Sequence, residues 1–217
     1  MAFHVLNRGV GRRQLFDKPE DYQAFEAVLE ETLGKHPMRI CSYLLMPNHW
    51  HLVLWPAADG DLATFMQRLG VTHVTRWQKH RHCVGEGHVY QGRFKSFPVE
   101  SDDYFYQVVR YVERNALRAN LVTRAEDWQW SSLWRRERGT SEHIRLLSDW
   151  PLPRPSNWVD LVNEPQTEGV LQTLRRAVTR GSPFGSPEWV EQTTKQLGLE
   201  FTLRPHGRPR KSPDGNP

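Results

Sequence analysis

Only two cysteines, Cys41 and Cys83, occur in the 217 residues, too few for a disulfide framework. The expected compartment is therefore reducing and cytoplasmic. Long apolar runs are missing as well: none reaches the length of a bilayer span, and the opening MAFHVLNRGVGRR lacks the pattern of a secretory leader, so no membrane partner is expected. There is no internal repeat. Acidic residues are absent from FTLRPHGRPRKS (201–212), which carries Arg204, Arg208, Arg210 and Lys211. These four match the whole chain's net charge of +4, so the remainder is close to balanced. The basicity is local, and it invites an anionic partner at that end.

Aromatic residues are plentiful, and nine tryptophans provide for a substantial core. FHVLNR (3–8) alternates as a first strand, and Asp17, Pro19 and Glu20 open a helix that Gly34 and Pro37 close. RICSYLLM (39–46) and HLVLW read as two strands around Pro47-Asn48; residues 61–80 read as a helix; FKSFPVE reads as a strand. Ser101 and two aspartates start a further helix to about Leu117. This order predicts an α+β fold, a ferredoxin-like split βαβ sandwich with an antiparallel sheet and helices on one face. The expected organisation is one domain over residues 1–135 and a Pro-rich connecting segment over 136–163. A mostly helical C-terminal extension follows over 164–203, and a basic, disordered tail over 204–217.

Within MPNHWHLVLW (46–55), His49 and His51 are two apart on a strand, so both imidazoles point to one side while Trp50 points to the other. Paired rings on one face suit a metal, though strand histidines also serve as plain hydrogen-bonding groups. Cupin sites want a glutamate shortly after such a pair, where Trp55 and Pro56 stand. Barrel hydrolases need a longer chain, and two-histidine phosphoesterases need HxT or HxS motifs that are missing here. His80, His82, Cys83 and His88 offer a structural zinc alternative, but their spacing fits no tetrahedral framework.

In SDDYFYQVVRYVERNALRANLV (101–122), Tyr104, Val108, Val112 and Ala116 form a core stripe, with Phe105 and Val109 beside them. Tyr111 and Asn115 share a different face, and Arg110, Arg114 and Arg118 form a row alongside. A phenol, an amide and guanidinium groups suit phosphate chemistry as nucleophile, metal-ligating oxygen and anion clamps. On spacing alone, a tyrosine there is usually a boundary residue and an arginine row usually a solvated face.

NRG (7–9), LMPNHWHLVL (45–54), YQGRFKS (90–96), YVERNALRANLV (111–122) and WQWSS (128–132) occur in that order. Together they resemble the single-tyrosine HUH transposases of the insertion-sequence type, specifically the REP-associated tyrosine transposases. The resemblance implies a single-stranded DNA endonuclease and strand transferase acting at REP-type hairpins through a 5′-phosphotyrosine link. Tyr111 would be the nucleophile, and His49, His51 and Asn115 the ligands of Mg²⁺ or Mn²⁺. A non-catalytic hairpin-binding protein is the alternative. The family's Asn-Pro reads Asn115-Ala116 here, and alanine predicts a more regular helix. Arg12, Arg13, Arg93, Lys95, Arg110, Arg114 and Arg118 are candidate DNA contacts, joined by Arg204, Arg208, Arg210 and Lys211 in a tail similar to AT-hook peptides. Partners are then single-stranded DNA and hairpins rather than a small-molecule substrate. A monomer is favoured with a dimer kept open, in a nucleoid-associated, cytoplasmic location.

Overall fold

The strand order of the sheet is β2-β3-β1-β4, antiparallel throughout, in a computed structural model that describes residues 1–204. The strands are β1 (Ala2–Arg8), β2 (Arg39–Met46), β3 (His49–Trp55) and β4 (Lys95–Val99). Between them lie α1 (Pro19–Lys35), joining β1 to β2, and α2 (Asp61–His80), joining β3 to β4. This is the expected split βαβ arrangement. Pro98 sits in β4, which is tolerated because β4 is an edge strand. The N-terminus of α1 is capped by Asp21, whose carboxylate accepts the amide N–H of Asp17 at 2.8 Å and of Lys18 at 3.3 Å.

In β2, seven of eight residues are buried, more than a sheet with one wet face would produce. The reason is that helices cover both faces, a correction to the expected one-sided arrangement. On one face, Phe25, Val28 and Leu29 of α1 and Phe65, Met66 and Leu69 of α2 pack over Val5, Tyr43, Leu45, Trp50, Leu52 and Leu54. On the other, α3 (Asp103–Glu113) sets Phe105, Val108, Val109 and Val112 against Leu44, Val53, Phe97 and Val99. One-sidedness holds for the two crossover helices alone.

After α3 come α4 (Asn115–Arg118), α5 (Ser132–Arg138), α6 (Ser141–Ile144), α7 (Trp158–Asn163), α8 (Glu168–Arg180) and α9 (Pro187–Leu197). Trp158 and Val162 of α7 and Leu174 and Ala177 of α8 join the same core cluster as α3. α3 is therefore held between the sheet and the extension. The chain also covers both sheet edges itself. Leu45 N–H donates to Trp130 O at 2.9 Å and Trp128 Nε1 to Leu45 O at 2.8 Å, so WQWSS caps β2. Phe184 N–H donates to Pro98 O at 2.9 Å along β4. No free edge is left at these positions to pair with another strand.

Among the described residues, no helix is long and apolar enough to cross a membrane. Arg208, Arg210 and Lys211 lie outside the described residues.

Candidate active site

The register of β1 against β3 pairs Arg8 with His49, Leu6 with His51 and His4 with Val53. Alternation then sends His4, Arg8, His49 and His51 to the α3 side of the sheet. Gly9 follows at once, where a Cβ would come 2.3 Å from Arg13 O, so only glycine fits this turn. Its N–H donates to Asn48 O at 2.9 Å, tying the NRG turn to the residue before His49.

The two imidazoles stand edge to face, with centroids 5.0 Å apart. α3 and α4 bring Tyr111, Asn115 and Arg118 over them, successive members of one helical face. The Tyr111 ring lies 6.1 Å from that of His51, nearly perpendicular to it, and is 8% exposed. Asn115 Nδ2 is 2.9 Å from His51 Nε2, and Arg118 Nη2 donates to Asn115 Oδ1 at 2.6 Å. The Arg118 guanidinium also lies over the Tyr111 ring, 4.4 Å from its centroid.

Donors and acceptors assign the tautomers. His49 Nδ1 is 2.6 Å from Asn48 Oδ1, which can only accept, so His49 carries its proton on Nδ1. Because Arg118 occupies Asn115 Oδ1, the amide nitrogen must donate to His51 Nε2, and His51 is likewise protonated on Nδ1. Both rings therefore carry their lone pair on Nε2. Burial holds both rings neutral, helped by the positive charges of Arg8 and Arg118: His49 is pushed down to about 4 and His51 well below the usual imidazole range. Two neutral imidazoles and a carboxamide are a borderline donor set that fits Mn²⁺ well and Mg²⁺ adequately. Asn115 would have to turn its oxygen toward such an ion. Among the described residues no three histidine, cysteine or carboxylate side chains converge as a metal site, so the zinc alternative of His80, His82, Cys83 and His88 is not assembled.

The arginine row divides. Arg118 faces the imidazoles. Arg110 Nη2 donates to Glu164 O at 3.2 Å, and Arg114 Nη1 donates to the carbonyls of Val162 and Asn163, clamping the end of α7. The expected regular helix is also interrupted, since α3 stops at Glu113 and α4 restarts at Asn115. Arg114 is bound to α7 and Asn115 to His51 and Arg118, and these tertiary anchors override alanine's preference for continuity. Arg12, Arg13, Arg93, Lys95 and Arg204 are exposed, and Arg13 lies 5.7 Å from the Trp77 ring.

Three residues escaped the sequence reading. Arg8 lies beside His49, and its Nε is buried without a partner among the described residues. His4 Nε2 is 2.9 Å from His51 Nδ1. Glu113, fully buried, accepts from Ser132 Oγ at 2.6 Å, Ser42 Oγ at 3.2 Å and Trp158 Nε1 at 2.8 Å, which sets the rotation of α3 on the sheet. Strand alternation gave a signal for His4 and Arg8, but only register puts them beside the pair.

Burial gives the protein a definite acid sensitivity. It lowers His4 and His73 to about 3 and His49 to about 4, whereas unfolded histidine titrates near 6.5. Between those values the unfolded chain binds protons that the folded chain refuses, so stability falls as pH drops from about 6.5 toward 3. Each pH unit separating the two states is worth about 1.4 kcal/mol per group. Glu113, raised by burial, works in the opposite direction but is one group against these three histidines and His51. The urea midpoint should fall steeply between pH 7 and 5; an unchanged midpoint would contradict the burial of these rings as neutral groups.

The sheet thus carries two imidazoles on one strand, with a tyrosine and an amide of the following helices set over them. The family described as "Transposase IS200 like" matches residues 1–115, and the chain belongs to that family. Its fold is similar to that of a REP-associated tyrosine transposase solved bound to a REP hairpin. The TM-score is 0.52 at 21% identity, over 70% of this chain and 85% of that one. A putative transposase from Deinococcus radiodurans R1 aligns at 16% identity and a TM-score of 0.41, over 52% of this chain and 88% of that one. None of the curated proteins matches.

Proposed function

We propose that this transposase cleaves and rejoins single-stranded DNA beside REP-type hairpins, with Tyr111 as nucleophile. The phenol gives up its proton to solvent as its oxygen attacks the scissile phosphorus; the bond to the 3′-oxygen breaks, and that oxygen takes up a proton from solvent and leaves as a hydroxyl. The products are a 5′-phosphotyrosine link and a free 3′-end. Attack by a 3′-hydroxyl reverses the step and joins strands without an external energy source. His49, His51 and Asn115 would hold Mg²⁺ or Mn²⁺, which when bound neutralises charge building on the phosphate oxygens. Arg118 holds the Tyr111 ring and presents Nη1, buried and without a partner among the described residues; Arg8 presents Nε in the same condition. Both are suited to grip a phosphate.

The observation that carries this reading is the pair of anchored Nδ1–H groups, which leaves both Nε2 atoms unprotonated, with the His51 ring beside a phenol of the same chain. That proximity within one chain, together with the covered sheet edges, favours a monomer acting in cis. The REP hairpin is taken from the relative solved with one. The test is incubation with labelled hairpin DNA and Mn²⁺, followed by denaturing electrophoresis. A covalent adduct that EDTA prevents is the expected result. Tight binding with no adduct would instead make the chain a non-catalytic hairpin-binding protein.

A further inference from the structure

Resting on the metal-site reading above, we infer that His4 is a positioning residue that fixes the tautomer and orientation of His51. His4 is fully buried on β1, and its Nε2 lies 2.9 Å from His51 Nδ1. The two rings are close to parallel, with centroids 5.1 Å apart at an interplanar angle of 24°. A chain of hydrogen bonds sets every proton. Arg118 donates to Asn115 Oδ1, Asn115 Nδ2 donates to His51 Nε2, and the single N–H of His51 must then be on Nδ1, where His4 Nε2 receives it.

The consequence for His4 is unfavourable. Its own proton must sit on Nδ1, a buried atom with no partner among the described residues, and an orphaned buried donor is destabilising. Phe97, 4.9 Å away, and Tyr111, 6.2 Å away, otherwise surround the ring with aromatic carbon. An apolar side chain would suit that environment better. What a histidine adds is an acceptor aimed at the back of His51, and a group orienting a ligand imidazole from behind characteristically strengthens metal binding by about 10- to 100-fold.

Two replacements separate this role from packing. His4→Phe keeps the bulk and removes the acceptor; His4→Gln restores an acceptor through its amide oxygen. Nitrogen-15 NMR of histidine-labelled, metal-free protein reads the His51 tautomer directly, and calorimetry reads Mn²⁺ affinity. In wild type, His51 should be protonated on Nδ1. His4→Phe should mix the tautomers and weaken Mn²⁺ binding about 10- to 100-fold, with His4→Gln recovering most of both. Wild-type His51 protonated on Nε2, or His4→Phe leaving tautomer and affinity unchanged, would overturn the inference. If wild type binds no Mn²⁺ and His51→Ala changes nothing, the metal-site reading fails, while the tautomer measurement still decides what His4 does. Should His4→Phe not fold, the wild-type tautomer and His4→Gln carry the decision.

Discussion

Tyr111→Phe should abolish the covalent DNA adduct, by about 10⁴-fold or more, while leaving the fold and hairpin binding intact. Such a loss corresponds to about 5.5 kcal/mol of barrier, more than any single lost contact to bound DNA would explain. Phenylalanine retains the ring, its burial and its place under Arg118, so the substitution deletes only the phenol oxygen, the proposed nucleophile. The other tyrosines of α3 offer no substitute. Tyr106 donates its hydroxyl to Pro153 O at 2.6 Å, and Tyr104 packs edge-on against Phe184 with centroids 5.2 Å apart. Single-turnover cleavage and the melting temperature would be measured together. Adduct at the wild-type rate in a folded Tyr111→Phe protein would remove Tyr111 from the mechanism.

The second large effect is on stability. Trp50 stands between the two histidines on β3 and points to the opposite face, where it is 1% exposed and packs on Phe25. Its Nε1 donates to the Tyr90 hydroxyl at 2.8 Å, and that hydroxyl lies 2.7 Å from His73 Nδ1 in a further hydrogen bond. Trp50→Ala should cost about 3–5 kcal/mol for the cavity and about 1 kcal/mol for the lost hydrogen bond. Against a typical domain stability of about 5–15 kcal/mol, that removes a large share of the margin. Urea denaturation measures the change directly, and a loss under about 2 kcal/mol would show that the face behind the imidazoles repacks freely. A milder Trp50→Phe should retain most of the stability. Because His49 and His51 share the strand, Mn²⁺ binding should fall with the fold in Trp50→Ala.

The acid sensitivity has the same origin as the site's chemistry. Burial that keeps His49 and His51 neutral, with unprotonated Nε2 atoms at neutral pH, also makes the folded chain refuse protons that the unfolded chain accepts.

Local geometry made much of this readable in advance. The two-residue period of a strand puts His49 and His51 on one side whatever surrounds them, and the helical period puts Tyr111 and Asn115 on one face. Turn and cap residues marked the elements because they act on the nearest backbone groups: Pro47-Asn48 between β2 and β3, and Ser186 with Pro187 at the start of α9.

What the tertiary structure alone decided is everything that depends on which residues far apart in the chain come to face one another. His4 and Arg8 reach the imidazoles through a register between strands more than forty residues apart. Arg110 and Arg114 look identical to Arg118 in sequence, yet they clamp α7 because α7 docks on their side of α3. The second helical layer and the break before Asn115 follow from that docking too. Backbone dihedrals set periodicity residue by residue, whereas register and packing side come from burying apolar faces across the whole chain, and no local window of sequence contains that sum.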